Sequence, residues 1–391
     1  MPATPDPEAG ITRRALVGLA VFGAAPALGG LAGCAALSDA SAQPASGTSG
    51  SPATRTASAD AAGPEAASAE AASAALARRL GAAVGAGDRE GFLRCFTPGA
   101  RTLGEVWFSA WRSFAGVELA GAPDGHLEVT WRVGEEAGTS ATALPVRLLG
   151  GLVDGVDDPS PLPIWLRHPV VLARSGPVSV LAAAEVDADA WLEHARTAAD
   201  RVRDAGLDGW HGWTGDVVVE IPVDSRDFDL RDAGDAGSGA AAYTVREVDH
   251  QDVVVVDPMV TRAWSDADVA GLLTHEVVHV ALGVSGDRAP MWVREGVADW
   301  VAAPWWPKLR AENRAASAGA PADAELPTDA DFADPDTVAR AYALAEAAVA
   351  GIVAEHGRDA LLAWAHDWAG APAPSAAALT ELLRAELARR R

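Results

Sequence analysis

The chain has 391 residues and a formal net charge of −23, from 54 acidic and 31 basic side chains. So acidic a chain is a poor candidate for binding nucleic acid or for docking electrostatically on anionic lipid. Hydrophobic residues make up 49% of the chain, which suits two folded domains and a linker. Its only cysteines are Cys34 and Cys95, so no intrachain disulfide is expected.

The amino terminus has the pattern of an export signal. Arg13 and Arg14 precede an apolar run over residues 15–33, which is short and rich in small residues for a membrane span. The run ends in Leu-Ala-Gly-Cys34, which resembles the lipobox of bacterial lipoproteins. The resemblance implies removal of residues 1–33 and a lipid on Cys34 that anchors the protein outside the cytoplasmic membrane. The paired arginines resemble a twin-arginine signal and serve an ordinary signal equally well.

Residues 34–71 are predicted to form a flexible tether. They consist mainly of Ala, Ser, Pro, Thr and Gly with scattered charges, and such a composition lacks the apolar mass to order itself. A tether of this length places the folded part well away from the membrane to which Cys34 is attached.

Residues 72–185 are predicted to form a small α+β domain. Helical patterns at 72–86 and from Gly87 onward are followed by strand-like runs at 127–133, 162–173 and 178–183. The order resembles the cone-shaped fold of SnoaL-like and nuclear-transport-factor-like domains. No catalytic motif is present, so we expect this domain to pack on its neighbour or position a substrate rather than bind a ligand of its own.

Residues 186–391 contain a second set of elements. A helical period covers 187–205, and strands are predicted at 216–223, 243–248 and 253–256. The remainder from 336 onward is mainly helical.

The most informative pattern in the chain is His275-Glu276-Val-Val-His279, an HExxH motif. Ser265 and Asp268 predict the start of the helix that carries it, and Gly283 predicts its end. On a helix the two histidines share one face and are able to bind one zinc ion, with Glu276 beside the open coordination position.

A second helix is predicted from Pro290, carrying Glu295 and Asp299 one turn apart on one face. Gly296 and Ala298 are small enough to let two helices approach closely. The pattern predicts two histidines from one helix, a glutamate from the next, and water as the fourth ligand.

These residues resemble the gluzincin zinc metallopeptidases of the thermolysin-like clan. The resemblance covers residues 186–391 and is specific at the HExxH motif and at Pro290-x-Trp-x-x-Glu295-Gly-x-Ala298. It implies His275, His279 and Glu295 as zinc ligands and Glu276 as the catalytic base. It also implies that Asp299 accepts a hydrogen bond from a ligand histidine, with His275 the expected donor.

The sequence also departs from the pattern of this family. Only fifteen residues separate His279 from Glu295, as in compact peptidase-MA-like domains, and the aminopeptidase Gly-x-Met-Glu-Asn motif is absent. Endopeptidase activity is therefore the default. The donor that stabilises the oxyanion is predicted to be Tyr342, with His356 and His366 as rivals. By resemblance, the strand at 253–257 borders the cleft and pairs with an extended substrate.

The overall prediction is an α+β protein, with a cone-shaped domain followed by a gluzincin-like domain of a small sheet and several helices. The predicted function is that of a membrane-anchored, extracytoplasmic zinc metallopeptidase acting on peptide or protein substrates, with no nucleic-acid partner. Two alternatives are a zinc-binding lipoprotein without turnover, and a lipoprotein whose cone domain binds a ligand. The sequence leaves the oligomeric state open.

Overall fold

The computed structural model describes residues 64–122, 124–135, 137–157, 162–208, 212–231, 240–246, 252–286, 289–366, 368 and 374–391. The predicted signal peptide, the lipidation site Cys34 and the tether up to residue 63 lie outside these residues. The described part has the predicted α+β composition.

Three helices begin the described chain: α1 (Pro64–Ala86), α2 (Arg89–Leu93) and α3 (Arg101–Ser113). Helix α1 starts earlier than predicted, so residues 64–71, assigned to the tether, are helical. The reason is local, because Pro64 occupies a first-turn position where a missing N–H costs nothing and the alanines that follow are strong helix formers. Asp88 caps α2 by accepting a hydrogen bond from the Gly91 N–H.

Two small antiparallel units follow. Strands β1 (Gly116–Gly121), β2 (Leu127–Arg132) and β3 (Ser140–Leu144) form a meander, and β4 (Val146–Leu149) pairs with β5 (Leu152–Val156) as a hairpin. The single strand predicted over 162–173 was wrong. Residues 164–166 form a short 3₁₀ turn after Pro163, and extended structure begins only after Pro169, because proline cannot donate to a ladder.

A five-stranded sheet forms the centre of the molecule. Its strands are β6 (Val170–Ser175), β7 (Val178–Ala183), β8 (Val217–Ile221), β9 (Ala242–Arg246) and β10 (Asp252–Val256), in the order β6-β7-β8-β10-β9. The inner pairs β7–β8 and β8–β10 are parallel, and the outer pairs are antiparallel. Helix α4 (Ala188–Val202) makes the crossover from β7 to β8. The sheet thus joins strands on both sides of the predicted boundary between residues 185 and 186.

Both faces of this sheet are buried. Val217, Val219 and Ile221 face a core shared with the carboxyl-terminal helices. Val218, between them on the opposite face, belongs to a second core with α1–α3 and the meander. Alternate residues of a strand point to opposite faces, so a strand buried on both sides is apolar throughout, as β8 is except for Glu220.

Glu220 lies on the face toward the amino-terminal elements and is fully buried. Its Oε2 lies 3.1 Å from the Nε of Arg231, and its other oxygen accepts a hydrogen bond from the Ile164 backbone N–H. A nearby pair, Arg167 and Asp227, is also buried, with 3.5 Å between Nε and Oδ1. The hydrogen bond from Ile164 and the Arg167–Asp227 ion pair connect residues 164–167 to β8 and to the segment that follows it.

The remaining helices cover the other face, except the first of them, whose Phe228 is buried in the core shared with α1–α3. They are α5 (Ser225–Arg231), α6 (Pro258–Thr261), α7 (Asp266–Gly286), α8 (Met291–Ala302), α9 (Pro307–Ala318), α10 (Asp329–Ala333), α11 (Val338–His356), α12 (Arg358–His366) and α13 (Ala376–Arg390). Helix α11 is central and packs on α8, α9 and α13. None of the helices in the described ranges combines the length and apolarity that a transmembrane segment needs.

Candidate metal centre

Helix α7 carries the HExxH motif and begins as the sequence predicts. The Ser265 Oγ accepts a hydrogen bond from the Asp268 backbone N–H at 3.2 Å and donates one to the Asp268 carboxylate at 2.7 Å. The helix is broken at Gly283, whose φ of 54° lies in the left-handed region that favours glycine. Between these points Leu273, Val277 and their neighbours are buried in the core beneath the sheet, which holds the helix rigidly.

Three potential ligand atoms converge between α7 and α8. The Nε2 atoms of His275 and His279 are 3.2 Å apart, and the Glu295 Oε2 lies 3.3 Å from the former and 3.5 Å from the latter. His275 and Glu295 are buried, and His279 is partly exposed. The histidines are one turn apart on α7, and α8 brings Glu295 to the same point. This buried group could hold a metal ion.

The spacing of these atoms suits a zinc ion. Tetrahedral zinc binds nitrogen and oxygen ligands at about 2.0–2.1 Å, which separates the ligand atoms by about 3.3 Å. The three observed separations lie between 3.2 and 3.5 Å. The Glu295 Oε2 is buried without a hydrogen-bond donor in the described structure, which a bound cation would remedy. The residues present therefore fit the metal that the motif predicts.

The ring nitrogen of His275 that points away from the ligand atoms also contacts a carboxylate. Its Nδ1 lies 3.0 Å from the Asp299 Oδ1, the contact that the family resemblance implied. The second oxygen of Asp299 accepts a hydrogen bond from the Asn313 Nδ2 at 3.1 Å. Asn313 comes from α9 and was not predicted from the sequence, where no motif marks it.

Glu276 lies beside the histidines and is fully buried. The Thr244 Oγ1 on β9 donates a hydrogen bond to the Glu276 Oε2 at 2.8 Å. The Oε1 atom of Glu276 has no hydrogen-bond partner in the described structure. Burial raises the pKa of Glu276, and the charges of His275 and His279 oppose this in part. One oxygen is thus fixed by the sheet and the other remains able to accept a proton.

The charges of the three ligand side chains are strongly coupled. Burial alone would lower the pKa of His275, but its contacts with the carboxylates of Asp299 and Glu295 outweigh burial and raise the pKa to about 10. Burial works in the opposite direction on Glu295, yet the charges of His279 and His275 hold the pKa of its carboxyl well below its usual range. Without a metal, the site therefore keeps an extra proton on His275.

One family model matches this part of the chain. It is described as peptidase of plants and bacteria, and it matches residues 236–354. The match supports a peptidase-related chain, and its range includes every residue placed at the centre above. It covers less than a third of the chain. Comparisons with curated proteins and with solved structures returned no match.

The strand at the edge of the sheet differs from the expectation. Residues 253–257 were expected to border the cleft and pair with substrate, but β10 is hydrogen-bonded on both sides, to β8 and to β9. That expectation was wrong. In the described structure the two outer strands of the sheet are β6 and β9, and β9 is the one that contacts Glu276 through Thr244.

Tyr342 lies near the centre, in the first turns of α11. Its ring centroid is 6.5 Å from that of His275, and the ring packs edge-on against Phe332 at 5.2 Å. The rival His356 is exposed at the far end of the same helix, where it contacts Trp364. Fourteen residues of helix separate it from Tyr342, a distance of about 21 Å. The other rival, His366, ends α12, and its side chain lies outside the described residues.

Proposed function

We propose that this chain is a zinc metallopeptidase that hydrolyses peptide bonds with Glu276 as general base. The observation that carries the proposal is the convergence of the His275, His279 and Glu295 ligand atoms at separations of 3.2–3.5 Å, with the Glu276 carboxylate adjacent. The peptidase family model that matches this region gives independent support.

A bound zinc ion supplies Lewis-acid chemistry, lowering the pKa of water to about 7 and polarising the scissile carbonyl. The protein supplies the proton transfers. Glu276 accepts the proton of the attacking water and then passes it to the leaving amine. A raised pKa suits this task, because the carboxyl must both take up and release a proton near neutral pH.

Thr244 orients this base. Its hydroxyl donates to the Glu276 Oε2, so this oxygen is held by β9 and Oε1 is the oxygen left for proton transfer. A hydrogen bond to an ionised carboxylate is stronger than one between neutral groups, so it restrains the side chain well.

We place an extended substrate along the outer edge of β9, because a peptide pairs most readily with an edge strand and Thr244 ties that strand to the base. Tyr342 is our candidate for stabilising the oxyanion, supported by its position beside His275. Cleavage inside a chain is the default, because the Gly-x-Met-Glu-Asn motif that binds a substrate amino terminus is absent from the sequence.

The proposed location is outside the cytoplasmic membrane, anchored by a lipid on Cys34. The apolar run that ends in Leu-Ala-Gly-Cys supports this part of the proposal. Radiolabelled fatty acid incorporated into the parent protein but absent from Cys34→Ser tests it, and equal labelling of the two would contradict it.

The decisive experiment compares the parent with Glu276→Gln and His279→Ala. We expect about one zinc per chain in the parent and in Glu276→Gln, and none in His279→Ala. Cleavage of casein and of a quenched peptide library should occur with the parent alone. Equal cleavage by Glu276→Gln would eliminate the proposed mechanism, and a parent that binds zinc without cleaving either substrate would indicate a zinc-binding protein without turnover.

A further inference from the structure

Asn313 lies at the end of a line of contacts that starts at the metal centre. Its Nδ2 donates to one carboxylate oxygen of Asp299, and the other oxygen of Asp299 lies 3.0 Å from the His275 Nδ1. The opposite nitrogen of His275 is one of the three converging ligand atoms. Helix α9 is therefore connected through α8 to a ligand on α7.

The two contacts of Asp299 together fix its carboxylate. A carboxylate held at one oxygen turns about its own side-chain bond, whereas one held at both oxygens has a fixed plane. An ionised carboxylate only accepts hydrogen bonds, so Asn313 must present its NH₂ group to Asp299, as it does here. The plane of the His275 ring, and the proton on its Nδ1, follow from the orientation of Asp299.

Packing α9 against the core does not by itself explain an asparagine at position 313. The residue is 1% exposed, and its Oδ1 has no hydrogen-bond partner in the described structure. A buried amide with an unsatisfied oxygen weakens a fold, and an apolar side chain would pack α9 without that cost. What an apolar side chain cannot do is donate to Asp299.

We propose that Asn313 is a positioning residue of the metal centre, which tightens metal binding by orienting His275 through Asp299. The inference rests on the metal site of the proposed function but not on turnover. It predicts a change in metal affinity even if no substrate is known.

The test measures zinc affinity of the purified full-length chain with a competing chromophoric chelator. Asn313→Leu and Asn313→Ala should each bind zinc about tenfold more weakly, the lower end of what loss of an outer-shell partner costs. Ser317→Ala is the matched control. Ser317 lies one turn further along α9 and is equally buried, but its hydroxyl donates to the Arg314 carbonyl within the same helix. Its zinc affinity should equal that of the parent.

A double-variant cycle separates positioning from general damage. In an Asp299→Ala background, Asn313→Leu should cause no further loss of zinc affinity, because the carboxylate that connects Asn313 to His275 is already absent. Parent-like affinity in either Asn313 variant, or an undiminished loss in the Asp299→Ala background, would overturn the proposal. A parent protein that binds no zinc would contradict both the metal site and this inference. A parent protein that binds zinc but has no peptidase activity would contradict only the proposed function.

Discussion

Gly296 lies where α8 closely approaches α11, and replacing it by alanine should lower both the stability of the fold and the affinity for zinc. A Cβ at this position would lie 2.6 Å from the Ala345 carbonyl oxygen and 2.8 Å from a methyl group of Val349. Ordinary contact needs about 3.5 Å, so the atoms must separate by roughly 0.9 Å. The carbonyl belongs to the backbone of α11 and cannot rotate away, so the helices themselves must part.

The expected change in the free energy of unfolding follows from two opposing effects. Alanine in a helix interior is favoured over glycine by about 1 kcal/mol, whereas overpacking a buried contact costs about 1–3 kcal/mol. We expect the upper end of that cost for Gly296→Ala, since backbone must move, giving a net loss of about 2 kcal/mol. Gly81→Ala is the control, because Gly81 is also helical and its Cβ would meet only Leu119, at an ordinary 3.8 Å. That variant should be as stable as the parent or more so.

Urea unfolding of the zinc-free proteins measures these differences. Zinc titration then tests the consequence for the site, because Glu295 precedes Gly296 on α8 and moves with it. We expect Gly296→Ala to bind zinc more weakly and Gly81→Ala to bind it as the parent does. A Gly296→Ala protein that matches Gly81→Ala in both measurements would refute the close helix contact.

Three further predictions concern the base, the ligands and the sheet. Thr244→Val should lower kcat about tenfold with little change in KM, because the Glu276 carboxylate loses its hydrogen bond. Thr244→Ser keeps the hydroxyl and should have the parental kcat. A parental kcat in Thr244→Val would contradict orientation by Thr244. Zinc binding between about pH 7 and pH 9 should release at least one proton per ion, because His275, with its pKa raised to about 10, must lose its proton to become a ligand. Calorimetry in two buffers of different ionisation enthalpy measures that proton, and identical heats would count against it. Arg231→Leu should lower the free energy of unfolding in urea by about 3–5 kcal/mol, because it leaves the Glu220 carboxylate buried without its ion-pair partner. Adding Glu220→Gln to the same chain should recover part of the lost stability. Additive losses in the double variant would contradict the pairing.

Local sequence patterns accounted for much of the centre. The spacing of His275 and His279 within one turn, with Glu295 on the next helix, predicted ligand atoms that lie within 3.5 Å of one another. The contact of Asp299 with His275 was implied by the family resemblance. Such predictions succeed because helix geometry is set by nearest neighbours along the chain. The same holds for the start of α7 at Ser265.

Contacts between distant elements could not be predicted in this way. Thr244 and Glu276 are 32 residues apart and come from a strand and a helix, so their contact depends on how α7 lies on the sheet. Asn313 resembles any polar residue of a helix until α9 is placed against α8. Neither residue has a local signal that distinguishes it.

The error about the edge strand had a different origin. Residues 253–256 are four consecutive valines, a composition typical of a strand covered on both faces and flanked on both sides. That pattern is typical of an interior strand, whereas the placement of residues 253–257 at the cleft came from the resemblance to other peptidases. The order of β8, β10 and β9 is not the order of the chain, and hydrophobic pattern alone does not reveal it.

The strand order also determines when the centre can form during folding. Strand β10 is the last of the five to be synthesised, yet it lies between β8 and β9. Until it arrives, one edge of β8 is open, and closing it requires parallel pairing between segments far apart in the chain, which is slow. Helix α7, which carries the HExxH motif, follows soon after β10 and packs on β9 and β10. We therefore expect the ligands to assemble only on a completed sheet, with metal capture among the last steps by which a newly made chain matures.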